Sequence, residues 1–197
     1  MSPREDVPTN FEIIGRISSE AVRDIIAQIG VLRQGEVVIL HKAKSAGSVD
    51  FMMENAFAAE MRDAGINLSV EAADKDTSAA RSVRYRLSYQ IVRLSLSYPQ
   101  LERKWWFGPR EVTRNANATL FVQFINLGTG DILWVREINK TYRDTIDYSM
   151  LKAVEDAQYE FTRPPHSEFK MRRLFEPIVV GGIVIGLVYL FFSNQQE

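Results

Sequence analysis

Hydrophobic residues in the first third of the chain recur first at helical spacing and then in short unbroken runs. Ser18 and Ser19 can cap a helix. Its apolar positions follow three or four residues apart: Val22, Ile25, Ile26, Ile29 and Leu32. The apolar run in 36–40 fits a buried strand, and a second helical pattern over 51–65 leads to a strand over 66–70. This strand, helix, strand unit predicts two parallel strands joined by a right-handed crossover.

A different pattern follows, in which apolar and polar residues alternate as in strands with one buried face. The apolar residues stand on odd numbers from Tyr85 to Ile91 and on even numbers from Leu94 onward. A change of phase within one strand indicates an extra residue, so we predict a β-bulge near Val92 and Arg93.

The alternation continues over 116–124, and a Gly-Thr-Gly-Asp turn at 128–131 leads into a strand that starts at Ile132. Apolar residues over 149–161 predict a helix that closes the domain. The predicted fold class is α/β, with a mixed sheet flanked by helices in a two-layer or three-layer sandwich.

The C-terminal part of the chain is apolar on every side. A stretch from Leu174 to Phe192 has about the length that a helix needs to cross a bilayer core. A buried helix of a globular domain would normally keep a polar face, and this one has none. We therefore predict a membrane anchor formed by Pro177, Ile178, Val179, Val180, Ile183, Val184, Ile185, Leu187, Val188, Tyr189, Leu190, Phe191 and Phe192.

These patterns divide the chain into five parts. We predict an N-terminal segment over 1–17, an α/β domain over 18–161, a proline-containing stalk over 162–173, a transmembrane helix over 174–193 and a short tail over 194–197. The consecutive prolines of the stalk favour an extended segment over a helix.

Charges beside the apolar stretch predict its orientation. Lys170, Arg172 and Arg173 precede it, which places the domain on the cytoplasmic side of a bacterial inner membrane as a single-pass protein. The polar N-terminus, without an apolar stretch of secretory length, agrees with this orientation. Gly182 and Gly186 form a G-x-x-x-G pair through which a second copy could contact the helix, although glycine is also common in such helices.

The amino-acid composition excludes several kinds of chemical site. The chain is 46% hydrophobic with a net charge of −1, which is globular and argues against a surface devoted to polyanions. It contains no cysteine, so disulfides, thiolate metal sites and cysteine nucleophiles are excluded. Its two histidines, His41 and His166, are far apart in sequence, and no phosphate-binding loop or serine elbow is found. We expect no catalytic residues, no metal and no cofactor.

One segment, 98–114, combines cations with large aromatic residues. Its candidate contact residues are Arg103, Lys104, Trp105, Trp106, Phe107, Arg110 and Arg114. Such residues could stack on single-stranded nucleic acid, lie on an anionic membrane surface, or fold back onto the sheet or a neighbouring subunit. Nucleic acid is the least favoured partner, because no second motif supports it.

Two stretches resemble a known family. Residues 116–134, Ala-Asn-Ala-Thr-Leu-Phe-Val-Gln-Phe-Ile-Asn-Leu-Gly-Thr-Gly-Asp-Ile-Leu-Trp, resemble the Leu-Val-Asp-x-x-Thr-Gly-Glu-Val-Leu-Trp hairpin of the curli-channel periplasmic domain and its relatives in flagellar envelope lipoproteins. The helical pattern over 51–65 is similar to that family's helix before its second strand, and the likeness covers about 35–142. It implies a non-catalytic envelope module outside the cytoplasm that assembles with itself or with protein partners.

The chain also departs from that family. It has no lipobox cysteine and adds a C-terminal apolar helix, and the segment 98–114 is too charged and prolyl to form barrel strands. The resemblance makes a periplasmic domain the alternative to the cytoplasmic one. The leading hypothesis is a membrane-anchored scaffolding subunit of a bacterial envelope assembly. The alternative is a tethered binder of nucleic acid or anionic lipid through 98–114.

Overall fold

The computed structural model of this protein describes most of the chain before the predicted anchor. The described residues are 7–30, 32, 34–44, 49–70, 83–103 and 108–164. Internal contacts divide the chain into two units, Met1–Pro165 and His166–Glu197, and every described residue belongs to the first. No helix within the described residues is long and apolar enough to span a bilayer. The predicted transmembrane helix over 174–193 lies outside them, and so do Gly182 and Gly186.

The described residues form a mixed sheet with helices packed on it, so the predicted α/β class is confirmed. In chain order the elements are α1 (Asn10–Gln28), β1 (Val37–Lys44), α2 (Asp50–Asp63), β2 (Asn67–Val70), β3 (Tyr85–Arg103), β4 (Arg110–Asn126), β5 (Ile132–Asp147) and α3 (Leu151–Val154). Short 3-10 turns at Tyr148–Met150 and Glu160–Thr162 flank α3.

The five strands lie in the order β2-β1-β3-β4-β5. β1 runs parallel to β2, as the strand, helix, strand pattern predicted. It also runs parallel to β3, which was not predicted, and β3, β4 and β5 are antiparallel. The predicted bulge is confirmed, because the register of β3 against β4 shifts between Ile91 and Arg93. A second shift between Ser97 and Gln100 was not predicted.

The turn between β4 and β5 is also where the sequence placed it. The N–H of Gly130 donates to the carbonyl of Asn126 at 2.8 Å, and Gly130 adopts a φ of +79°, which a residue without Cβ reaches without strain. β5 follows β4 in the chain and pairs with β4 alone in the described sheet, so it forms one edge of that sheet.

The predicted start of the first helix at Ser18 is wrong. The helix begins at Asn10, where Thr9 and Glu12 form a capping box, and Ser18 is buried inside it. Ile14, Ile17 and Ala21 continue the apolar stripe upstream of Ile25 at spacings of three and four residues, so their burial favours helix through this region. The first helix therefore includes residues 10–17, which the sequence pattern assigned to the N-terminal segment.

The predicted helix over 149–161 is also wrong, since only Leu151–Val154 is α-helical. The side chain of Thr162 replaces the helix by local bonds. Its hydroxyl accepts from the N–H of Asp156 at 3.0 Å and donates to the carbonyl of Tyr159 at 2.8 Å. These bonds hold the chain in a bend, which a threonine can do because its short side chain competes with helical backbone bonds.

The core lies between one face of the sheet and the helices, in two clusters. The first core cluster joins the C-terminal part of α1 to α2 and includes Val22, Ile25, Phe57, Leu87 and Val122. The second core cluster joins the N-terminal part of α1 to the C-terminal end of β3 and the N-terminal end of β4. It includes Ile13, Ile17, Leu96, Tyr98, Val112 and Leu151. α1 thus runs the length of the sheet and connects both clusters.

Candidate interaction site at the hairpin end

The C-terminal end of β3 and the N-terminal end of β4 pack against the first turn of α1 and the segment 148–164. We call this region the hairpin end. Tyr98 and Val112 come from the two strands, and Leu151 and Val154 come from the C-terminal segment. All four are buried in the second core cluster, so apolar contact fixes the base of the hairpin against the last described part of the chain.

Arg114 is fully buried beneath this region. It stands opposite Asp144 across β4 and β5, and its Nε donates to Asp144 Oδ1 at 2.8 Å. A second guanidinium nitrogen donates to the other carboxylate oxygen at 2.5 Å. The third donates to the carbonyl of Pro8 at 2.7 Å and to Asn10 Oδ1 at 3.1 Å. All three nitrogens are engaged, which is the condition under which a buried charge is tolerated.

The burial of Arg114 corrects one predicted contact residue. A guanidinium with no exposed surface cannot reach a membrane or a partner, so Arg114 belongs to the core and not to the surface of 98–114. The sequence does contain the relevant signal. Arg114 stands in the same even phase as Val112, Ala116 and Ala118, all of which face the helices.

Asn10 extends the buried polar network to the C-terminal segment. Its amide nitrogen donates to the hydroxyl of Tyr98 at 2.6 Å and to the carbonyl of Thr162 at 2.7 Å. The Tyr98 hydroxyl in turn donates to Glu155 Oε1 at 3.0 Å, and burial raises the pKa of Tyr98 so that this donor keeps its proton. One side chain therefore ties the start of α1 to a strand and to the end of the domain.

Two other residues of the predicted contact segment belong to the last described pair of β3 and β4. Arg103 and Arg110 face each other as the last described pair of β3 and β4. Arg110 is exposed, and its guanidinium lies 5.9 Å from the ring centroid of Tyr148, within the range of a cation–π contact. Lys104, Trp105, Trp106 and Phe107 lie outside the described residues, so their role stays a prediction.

An open groove of about 490 Å³ lies beside the hairpin end, between the first turn of α1 and residues 153–159. Phe11 and Tyr159 line it, with their rings stacked at 5.0 Å. Glu12 lies on its rim, and the hydrogen bond from the Thr9 backbone N–H at 2.7 Å lowers the pKa of its carboxyl. Aromatic and acidic side chains together suit a contact with a polar or cationic protein surface more than a reaction.

A second polar cluster joins the end of β1 to the start of α2. Lys42 Nζ donates to Glu54 at 2.7 Å and to Asp50 at 3.2 Å, and the bond to Glu54 raises the pKa of Lys42. Beside it, burial raises the pKa of Tyr89 to about 12, and its hydroxyl has no hydrogen-bond partner among the described residues. The lysine is committed to two carboxylates, so it does not supply a free base or nucleophile.

No group of three or more metal-ligating side chains converges within the described ranges. Asn10 and Asp144, which organise the hairpin end, were not singled out by sequence reasoning. Neither stands in a motif, and their partners are 104 and 30 residues away along the chain. Only the fold brings them to Arg114.

Comparison with known proteins adds a set of distant structural neighbours. No family model and no curated protein matches the chain. Among solved structures, it is similar to the LpoB C-terminal domain from Salmonella enterica, with 12% identity, 64% of this chain and 97% of that chain covered, and a TM-score of 0.38. It is also similar to the PelC dodecamer from Paraburkholderia phytofirmans, with 14% identity, 57% and 75% covered, and a TM-score of 0.35.

A third neighbour is a minor lipoprotein from Acinetobacter baumannii, with 12% identity, 81% of this chain and 92% of that chain covered, and a TM-score of 0.33. At these TM-scores the likeness carries no argument about what this chain does. None of these three is a curli channel or a flagellar lipoprotein, so that resemblance stays a prediction.

Proposed function

We propose that this chain is a non-enzymatic, single-pass membrane-anchored scaffolding subunit of a bacterial envelope assembly, which binds protein partners through its α/β domain. One observation carries the proposal. The base of the basic and aromatic hairpin and the segment by which the chain leaves the domain are built into a single buried cluster. The part of the domain that carries the contact residues is therefore the part that an anchor would tether.

Chain length sets how close that tether is. Nine residues, 165–173, separate the last described residue from the start of the predicted apolar stretch. Fully extended, they span at most about 30 Å. The consecutive prolines reduce the freedom of this stretch, which favours a short stalk over a long flexible leash. The proposal therefore expects the protein partners to belong to the same membrane.

Fractionation tests the anchor. The full chain should stay with membranes through an alkaline carbonate wash and be released by mild detergent, because its apolar stretch loses about 25 cal/mol per Å² on transfer to water. A variant that stops at Pro165 is the matched control and should lose this retention. Recovery of the full chain in the detergent-free soluble fraction would contradict the proposal.

The side of the membrane is decided by labelling. The flanking cations favour a cytoplasmic domain, whereas the resemblance favours a periplasmic one. Because the chain has no cysteine, a single one introduced at exposed Lys152 or after Asn194 reports its own side to an impermeant thiol reagent. Reaction of the Lys152→Cys variant in intact spheroplasts would place the domain in the periplasm, and protection until lysis would place it in the cytoplasm.

A second candidate function, binding of anionic lipid, is favoured by the exposed Arg110 at the hairpin end. Residues 1–165 should bind vesicles that contain phosphatidylserine in a salt-sensitive manner, and Arg103→Ala with Arg110→Ala should weaken this several-fold. Exposed Arg62 and Arg84, at the opposite end of the domain, give the control double variant. Equal binding by both double variants would dismiss the lipid function. Single-stranded DNA in place of vesicles tests the nucleic-acid alternative with the same proteins.

A further inference from the structure

The outer edge of β5 is the longest strand edge in the described sheet. β5 runs over 16 residues, Ile132–Asp147, and pairs with β4 on one side only. Within the part of the chain that the structure describes, no strand pairs with its other side. A strand edge of this length presents a row of backbone donors and acceptors that another strand can complete.

Two charged residues of opposite sign on the outer face of β5 stand opposite uncharged residues of β4, and one of them, Arg143, also donates to Gln100 Oε1 at 3.0 Å. Glu137 stands opposite Phe121, and Arg143 stands opposite Asn115. Both side chains are exposed on the sheet face away from α1. Directly opposite pairs of unlike charge stabilise neighbouring strands, so these two residues are suited to a partner on the outer side of β5.

We propose that β5 pairs antiparallel with β5 of a second copy around a twofold axis at Lys140. The two sheets then form one continuous sheet. This inference goes beyond the anchored role by naming a self-interface, and it does not depend on the anchor. With the axis at residue 140, residues whose numbers add to 280 stand opposite each other. Glu137 then meets Arg143 of the second copy, and Arg136 meets its Asp144.

Neighbouring registers lack this match. A continuous sheet keeps each side chain on its own face, so the register can change only in steps that preserve the odd and even phases. One step in either direction places Glu137 opposite Thr141 or Thr145, and Arg143 opposite Val135 or Asn139. The pair Glu137–Arg143 and the pair Arg136–Asp144 therefore occur together only with the axis at Lys140, whereas an axis at Tyr142 pairs Lys140 with Asp144 but places Glu137 opposite Asp147.

Apolar exposure at the ends of β5 supports the same register. Ile132 is 58% exposed and Tyr148 is 39% exposed. In this register Ile132 of one copy stands opposite Tyr148 of the other. At the axis, two lysines meet, but Lys140 Nζ already lies 2.6 Å from a carboxylate oxygen of Asp24, which balances its charge. α1 packs across β4 and β5, so two copies of it would lie on the same face of the continuous sheet.

Charge exchange tests the pairing on the full chain in mild detergent, with the oligomeric state measured by sedimentation. Each contact occurs twice in a twofold dimer, so Glu137→Arg or Arg143→Glu alone should weaken dimerisation by about tenfold. The double variant E137R/R143E recreates both contacts with reversed signs and should restore it. Single variants that dimerise like the wild type, or a double variant that fails to recover, would overturn the proposal.

A crosslink locates the axis independently. Lys140→Cys places one thiol of each copy at the twofold axis, and a short bismaleimide should join them into a covalent dimer. Asn67→Cys, exposed on the opposite edge strand β2, is the matched control and should remain a monomer under the same conditions. Equal crosslinking of both variants, or none at residue 140, would exclude this interface.

The two proposals fail separately. Dimers that survive every charge variant would place self-association elsewhere, for example at Gly182 and Gly186, and leave the anchored role intact. A full chain that stays in solution without detergent would end the anchored role, and the charge series would still decide the β5 interface.

Discussion

The two core clusters of this domain are stabilised in different ways. The first core cluster consists of apolar residues and Tyr89, and its contacts come from α1, α2 and the middle of the sheet. The second core cluster surrounds a buried network in which Arg114, Asn10, Asp144 and Tyr98 satisfy one another. The first end tolerates any side chain of suitable volume, whereas the second requires particular partners at particular positions.

The polar network of the second core cluster contributes more to the geometry of its region than to its stability. A buried ion pair adds little net stability compared with apolar residues of equal volume, but it fixes one arrangement of the groups around it. Here those groups are the N-terminus of α1, the base of the hairpin and the segment that leads out of the domain. The network therefore defines the geometry of the hairpin end.

Arg114→Ala should be the most damaging change, with a loss of about 3–5 kcal/mol in the free energy of unfolding. Removal of the guanidinium leaves the Pro8 carbonyl and Asn10 Oδ1 without this donor, and Asp144 keeps only the bond from the Tyr142 hydroxyl. Urea titration followed by tryptophan fluorescence measures the loss. Exposed Arg110→Ala, on the same strand, is the control and should change stability by less than about 0.5 kcal/mol. Equal losses in the two variants would refute the role of the network.

Leu87→Ala tests the apolar end. Leu87 is fully buried in the first core cluster, so its truncation should cost about 3 kcal/mol through lost burial and a cavity. Leu87→Met nearly conserves volume and should cost less than about 1.5 kcal/mol. A methionine variant as unstable as the alanine one would show that this end also depends on one particular side chain.

Asn10→Ala should cost about 2 kcal/mol, because it leaves the Thr162 carbonyl without its donor and removes one of the two acceptors of an Arg114 nitrogen. The same change should increase amide exchange around Thr162 while exchange in β1 is unaffected, since the first core cluster does not contain Asn10. Gln28→Ala, exposed on the same helix, is the matched control. Uniform faster exchange across both ends would argue against separate stabilisation of the two clusters.

The smallest effect is a pH dependence at the start of α1. Bonding to the Thr9 N–H lowers the pKa of Glu12 in the folded state below its ordinary 4.5. A carboxyl with a lowered folded pKa adds stability that is present above its unfolded pKa and is lost as pH falls through the folded pKa. The stability advantage of the wild type over Glu12→Gln, measured by urea titration, should therefore shrink from pH 7 to pH 3. An advantage that does not change with pH would show that the charge of Glu12 has no part in the cap.

Much of the fold was readable from the sequence because single faces repeat their chemistry. The parallel unit, the bulge after Ile91 and the turn at Gly130 all follow from local periodicity or turn residues. The start of α1 was missed because Thr9 and Glu12 were not weighed as a capping pair, although both stand in the sequence at the required spacing. The helix over 149–161 was over-predicted because a side-chain bond from Thr162 replaced backbone bonds.

The candidate site was less predictable. Exposure of Arg110 at the end of a hairpin followed from its position between two strands. The burial of Arg114 required its phase to be weighed above its charge, and the general rule that arginine lies outside prevailed in the prediction. Its partners come from α1 and β5, and contacts between distant segments leave no periodic trace in the sequence.

The bond from Asn10 to Thr162 joins residues 152 positions apart. The entropic cost of closing so long a loop rises only with the logarithm of its length, by about 0.6 kcal/mol for each doubling. The separation along the chain therefore has little effect on the free energy of unfolding. The separation does affect the folding rate, because contacts between sequence-distant residues slow the folding of small domains. This clasp can form only after nearly all of the globular region has been synthesised, which makes it a late event in the acquisition of the native state.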